Sequence, residues 1–244
     1  MRFGNLTHLE IRAKAAAGCL AVIPTGCTEQ QGPHLPVDFD TWFVETLSLA
    51  AAEYAARHYN VQALVLPALP FGPTPEHRNF GSGYIDLPQE VHNAVIEATL
   101  VSLVEQRFRN LVIWRGCGGH KLQFVVDRFN HTYQSQARAF LPGLPFYDLW
   151  CSLGHAHIPS GHADSFATSV ALYLRPESVR TALIADPQNE PVNWDDPNLD
   201  FAAISKSGVI GDPTHASAAL GEQIWREAIK MVAAILVDCA RSGF

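Results

Sequence analysis

The chain has 244 residues, a formal net charge of -7, 48% hydrophobic and 17% charged residues. That is the composition of a folded globular chain of domain size, not a disordered one. It has no basic excess to neutralise phosphates, which argues against nucleic acid as a partner. No apolar run approaches the ~18 residues of a membrane span, and Met1 to Thr7 lacks the apolar core of a secretory signal. The five cysteines are widely spaced with no CxxC pair. The expectation is a cytoplasmic protein with reduced thiols, away from membranes.

In chain order, an alanine-rich helical stretch precedes Leu20 to Pro24, a short apolar run read as a buried strand. Residues 26–40 read as a loop and Thr41 to Tyr59 as a helix. Val61 to Pro67 is a second strand, and residues 70–88 a long Gly/Pro-rich loop of the kind that often carries function. Gln89 to Phe108 is a helix entered at Pro88, and Asn110 to Trp114 a third strand. Cys117 to His120 is expected to turn directly into a helix reaching Gln136. A fourth strand is expected over Leu144 to Leu149. Helices are expected over Ala163 to Leu174 and Ser217 to Ala240, with Asp186 to Asp200 a surface excursion. Continuous apolar strands alternating with helices predict an α/β fold, a mainly parallel sheet with helices on both faces. The site is then expected at the carboxyl ends of the strands. With no repeat or linker, residues 1–244 read as one domain.

Four segments carry candidate chemistry. Glu29, His34, Asp38 and Asp40 fall within twelve residues after the first strand. Carboxylates and imidazole that close together are costly unless paired, solvated or bound to a metal. A solvated acidic loop with a helix-capping Asp is the simpler alternative. The segment Arg115-Gly-Cys-Gly-Gly-His120 ends a strand. At a helix N-terminus, Cys117 would be a depressed-pKa thiolate, a nucleophile or a metal ligand; the alternative is a buried structural Cys. His162 and Asp164 sit at a helix start, where Asp164 or Ser165 is a natural cap and His162 a base, a ligand or a structural residue. Glu76 and His77 lie adjacent in the long loop, lining a pocket or fixing the loop.

Together these segments resemble the creatininase family of amidohydrolases. The family signature G-S-x-E-Q-H-G-P-H-L-P, followed by T-D-T, is matched by Gly26, Glu29, Gln30, Gly32, Pro33, His34, Leu35, Pro36, Asp40 and Thr41. The loop E-H-x-x-F is matched by Glu76, His77 and Phe80. N-G-H-G-G-N aligns with Arg115 to His120, and H-A-G-x-x-E-T-S with His162 to Ser169. Gly208 to Pro213 and Ala216 resemble a further stretch. Three usual metal-ligand positions differ: Gln31 and Cys117 replace His, and Ala167 replaces Glu.

The resemblance implies a three-layer creatininase-like sandwich and hydrolysis of an amide or cyclic-amide bond in a small molecule by metal-activated water. It implies one divalent metal, zinc given a thiolate ligand, on Glu29, Asp40 and Cys117, with the second metal of the family doubtful. His162 is the implied proton shuttle, with His120 a second catalytic candidate. Gln31, Glu76, His77 and Arg115 are the candidate substrate contacts, the Arg115 fork suiting an anionic group. A homo-oligomer, a hexamer by resemblance, is expected. Two alternatives remain: a metal-free amidase with Cys117 as nucleophile and His120 or His162 as base, and an inactive ligand-binding or structural member of the family.

Overall fold

The structure, a computed structural model, describes residues 1–187 and 189–243. Its strands are β1 (Leu20–Thr25), β2 (Ala63–Val65), β3 (Asn110–Arg115) and β4 (Arg138–Phe140). They form one sheet in the order β2-β1-β3-β4, all neighbours parallel. Every residue of β1 and β2 is buried, as expected of a parallel sheet covered on both faces.

Alternation along the strands sorts the core into two layers. Leu20, Val22, Val65, Val112 and Trp114 face α2 (Phe39–Tyr59), α6 (Ser165–Leu174) and α8 (Ala218–Ser242). Ala21, Ile23, Leu64, Leu111 and Ile113 face α1 (His8–Ala16), α3 (Gln89–Glu105) and α4 (Gln123–Thr132). Local signals set the helix ends. Thr7 and Glu10 form a reciprocal capping box on α1, and Asn60 closes α2 in the left-handed region at φ 55°.

Two expectations are corrected. The fourth strand is Arg138–Phe140, not Leu144 to Leu149, which instead falls mostly in α5 (Phe146–Ser152). Pro145 stands at the entry of α5, and Leu149 and Trp150, three and four residues after Phe146, are buried as one helical stripe. The second correction concerns α4, which begins at Gln123. Cys117 therefore sits in the turn after β3, not at a helix N-terminus, and the helix-end argument for an activated thiolate does not hold. The long loop carries a 3-10 helix over Pro75–Phe80. A four-residue helix α7, Phe201–Ile204, follows the 186–200 excursion, in which Gln188 lies outside the described residues. Among the described residues, no helix is long and apolar enough to cross a membrane.

Candidate active site

β1 and β3 end in register, Thr25 opposite Arg115, and the Gly116 N–H donates to the Thr25 carbonyl at 2.7 Å. The segments that follow therefore leave the sheet side by side, one carrying Cys27 and Glu29, the other Cys117. A Cβ on Gly116 would stand 2.9 Å from the Asp40 carbonyl oxygen and from Val44 Cβ. Glycine there lets the first turn of α2 close over the strand ends, which brings Asp40 to the same centre.

Cys27, Glu29, Asp40 and Cys117 each offer one donor atom, all within 4.8 Å of one another. The Gln31 amide donates to Asp40 Oδ2 at 3.2 Å and to Glu29 Oε1 at 3.5 Å, while the buried Glu29 Oε2 has no partner. Burial raises the Glu29 pKa well above the carboxylate range, and Cys117 and Asp40 add to it. Burial lifts Asp40 to about 7, opposed by its hydrogen bond with Glu29. Two carboxyls in one dry place cannot both ionise without a compensating charge. The unpartnered oxygen and the converging O and S donors fit a divalent cation, which would supply that charge.

On one side of Glu29 stand two imidazoles. His77 Nε2 lies 3.5 Å and His162 Nδ1 3.7 Å from Glu29 Oε1. These are not ion pairs, because burial lowers His77 to about 2 and His162 to about 4, leaving both rings neutral at pH 7. His162 Nε2–H donates to the Gln30 carbonyl at 2.6 Å, so its Nδ1 presents a lone pair toward Glu29. Paired backbone bonds with Ile210, at 2.8 and 2.9 Å, hold the His162 backbone. The next residue, Ala163, takes a φ of 54°, a conformation that costs a non-glycine residue ~1–2 kcal/mol.

On the other side lies a thiol cluster. Cys27 Sγ is 3.0 Å from His120 Nε2, and His120 Nδ1 is 3.4 Å from Thr25 Oγ1, which in turn lies 3.1 Å from His92 Nε2. Burial lowers His120 to about 3 and His92 to about 4. Cys27 is held as a thiol, by its hydrogen bond with Cys117 first and by burial second.

A cavity of about 730 Å³ opens onto this centre. Gln31, Asp40, His162 and Asp164 are among its polar lining, and Phe39, Phe43, Trp150 and Trp194 are among its aromatic walls. Trp194 belongs to the excursion read from sequence as surface. Ala167, where the family motif has Glu, also lines the cavity.

His34 is buried and paired with Thr168 Oγ1 at 2.8 Å. Asp38 makes a two-pronged ion pair with Arg175. Asp164 caps α6 through Oδ1 and accepts from the Gly161 N–H through Oδ2, so both its oxygens are engaged. Glu76 Oε1 lies 3.8 Å from His77 Nε2. Arg115 donates to the His120 carbonyl at 3.2 Å, away from the cavity lining. Cys27 and His92 were not singled out by sequence. Cys27 had a positional signal, two residues before Glu29 at a strand end, whereas His92 had none.

Comparison with known proteins identifies the family. The creatininase family profile, described as creatinine amidohydrolase, matches residues 4–236. The mycofactocin precursor peptide peptidase of Mycobacterium tuberculosis (strain H37Rv) is 31% identical over 230 residues, 90% of this chain and 82% of the relative. The creatinine amidohydrolase of Pseudomonas putida is 24% identical over 262 residues, 99% of this chain and 96% of the relative. Among solved structures, a creatininase mutant of Zn-Zn type superposes with a TM-score of 0.83 at 21% identity, covering 97% of both chains, and a manganese creatininase does so equally. The chain belongs to the creatininase family and is a hydrolase of that family.

Proposed function

We propose that this protein hydrolyses an amide or cyclic-amide C–N bond in a small molecule, at a centre that holds one divalent metal, zinc by preference. The observation that carries the reading is the buried Glu29–Asp40 pair with Cys117 beside it, all within 4.8 Å, next to a cavity of about 730 Å³. Cavities of ~300–1,000 Å³ suit small-molecule ligands. Glu29, Asp40 and Cys117 would hold the metal, which supplies Lewis acidity toward a carbonyl oxygen and acidifies water.

The chain's own groups do the rest. Neutral His162, its Nε2–H fixed on the Gln30 carbonyl, keeps Nδ1 free to take a proton and return it to the leaving nitrogen. Gln31 holds Asp40 and Glu29 in place and meets substrate from the cavity lining. The aromatic walls exclude water from the bond being broken.

A short peptide is a second substrate class. It is favoured by relatives named mycofactocin precursor peptide peptidase, 28% and 31% identical. The thiol-nucleophile alternative loses ground, since His120 Nε2 faces Cys27 at 3.0 Å and α4 starts only at Gln123.

The test is metal content by elemental analysis on protein purified without chelator, followed by release of amine from a panel of lactams, linear amides and short peptides. Near-stoichiometric zinc and chelator-sensitive hydrolysis are expected. No metal after soaking in zinc or manganese, or hydrolysis untouched by chelator and abolished by thiol alkylation, overturns the reading.

A further inference from the structure

Three positions at which this chain departs from the family motifs converge in space. Where the motifs carry Ser, His and Asn, it carries Cys27, Cys117 and His120. Their donor atoms all lie within 4.8 Å of one another, with Cys27 0%, Cys117 9% and His120 1% exposed. We propose that Cys27 and His120 join Cys117 as soft donors to the one thiophilic divalent cation of this centre, zinc first, with the Glu29–Asp40 pair on its other side; the inference rests on the metal-centre reading above.

Two sulfurs and one imidazole nitrogen are a donor set that zinc takes while keeping a fourth position open. Thiolate ligands select zinc over manganese, and two thiolates balance its charge. The imidazole is aimed for the purpose. The Thr25 hydroxyl can donate to His92 Nε2 at 3.1 Å and accept from His120 Nδ1–H at 3.4 Å, which leaves a lone pair on His120 Nε2. A ligating histidine is commonly oriented this way, its second ring N–H held by an outer partner. Room is kept in front of that nitrogen: a Cβ on Gly72 would stand 2.2 Å from His120 Nε2. Any other residue at position 72 would fill the space beside the donor.

The test uses the full chain, reduced, stripped with chelator and reloaded with zinc alone, and reads sulfur per zinc by X-ray absorption. Two sulfurs and one imidazole nitrogen are expected. Cys27→Ser should leave one sulfur and weaken zinc by roughly a hundredfold or more, since even outer-shell changes cost about ten- to a hundredfold. His120→Asn should weaken it comparably while both sulfurs stay. One sulfur per zinc in the unmodified chain, with Cys27→Ser and His120→Asn binding as tightly, overturns the proposal and puts the metal on Glu29, Asp40 and Cys117. Absence of zinc binding overturns it as well. Circular dichroism of each metal-free variant checks folding. If a variant fails to fold, the sulfur-to-cobalt charge-transfer intensity of the cobalt-loaded unmodified chain counts thiolates without it. The readout does not depend on turnover, so a failure of the hydrolase reading leaves this result standing.

Discussion

The two sides of Glu29 are built from different chemistry for different access. On one flank it meets His77 and His162, neutral rings whose nitrogens lie 3.5 and 3.7 Å away; of the two, His162 lines the cavity and His77 is buried behind it. Toward the sheet lie Cys27, Cys117 and His120, none of them in the cavity lining. Proton traffic to a substrate needs the first kind of surroundings. Firm retention of a thiophilic cation needs the second, where burial keeps most solvent from the sulfurs. The contrast shows how a centre can change its donors at one face while its reactive face stays open to substrate.

Substitutions should separate the two sides. The largest effect is expected from His162→Gln, which removes the proton acceptor from the open side. Turnover should fall about 10²- to 10⁴-fold with zinc content unchanged, measured by steady-state kinetics and elemental analysis. Loss of metal in parallel with activity would mean that the two sides of Glu29 do not act separately.

The next effect lies in stability. In the metal-free protein the Asp40 pKa is about 7 against an ordinary 3.8, raised by burial. Between those values the folded chain keeps a proton that the unfolded chain has released. Stability therefore falls as pH rises through this window and levels off above about 7, at up to ~1.4 kcal/mol per pH unit. Glu29, also raised, acts in the same direction. Thermal melts of chelated protein should show the fall, and Asp40→Asn should flatten it. An equal slope in the variant would remove Asp40 as its source.

The smallest effect is expected from Gly116→Ala. Its Cβ would stand 2.9 Å from the Asp40 carbonyl, and overpacking of this kind costs about 1–3 kcal/mol. Urea unfolding would read it, and zinc affinity should weaken as Asp40 is displaced. A variant of unchanged stability would mean that α2 closes on the strand ends without needing glycine.

β1 and β3 were legible because each is a six-residue apolar run, buried along almost its whole length. β4 was not, because it is three residues long with Arg138 exposed and only Ala139 fully buried. The apolar run at 144–149 passes equally for a strand or a buried helix, since periodicity does not separate short segments. In the site, Glu29, Asp40 and Cys117 could be read from the motif that carries them. Cys27 passed as one more widely spaced reduced thiol. His92 reaches His120, their ring centroids 4.6 Å apart, only because α3 packs beneath the strand ends. Such a contact is written in tertiary geometry and leaves no local pattern.

The backbone pairing of His162 with Ile210 has a kinetic consequence. The residues around Glu29 are drawn from positions 27 to 162, and His162 is held by a partner 48 residues further on. Such distant contacts form slowly, because the loops between them must close first. The first strands and helices to condense during synthesis would carry Cys27 and Glu29 without His162. The donors at positions 27 to 120 can therefore meet a cation before His162 is locked in place, and the open side of the centre is finished last.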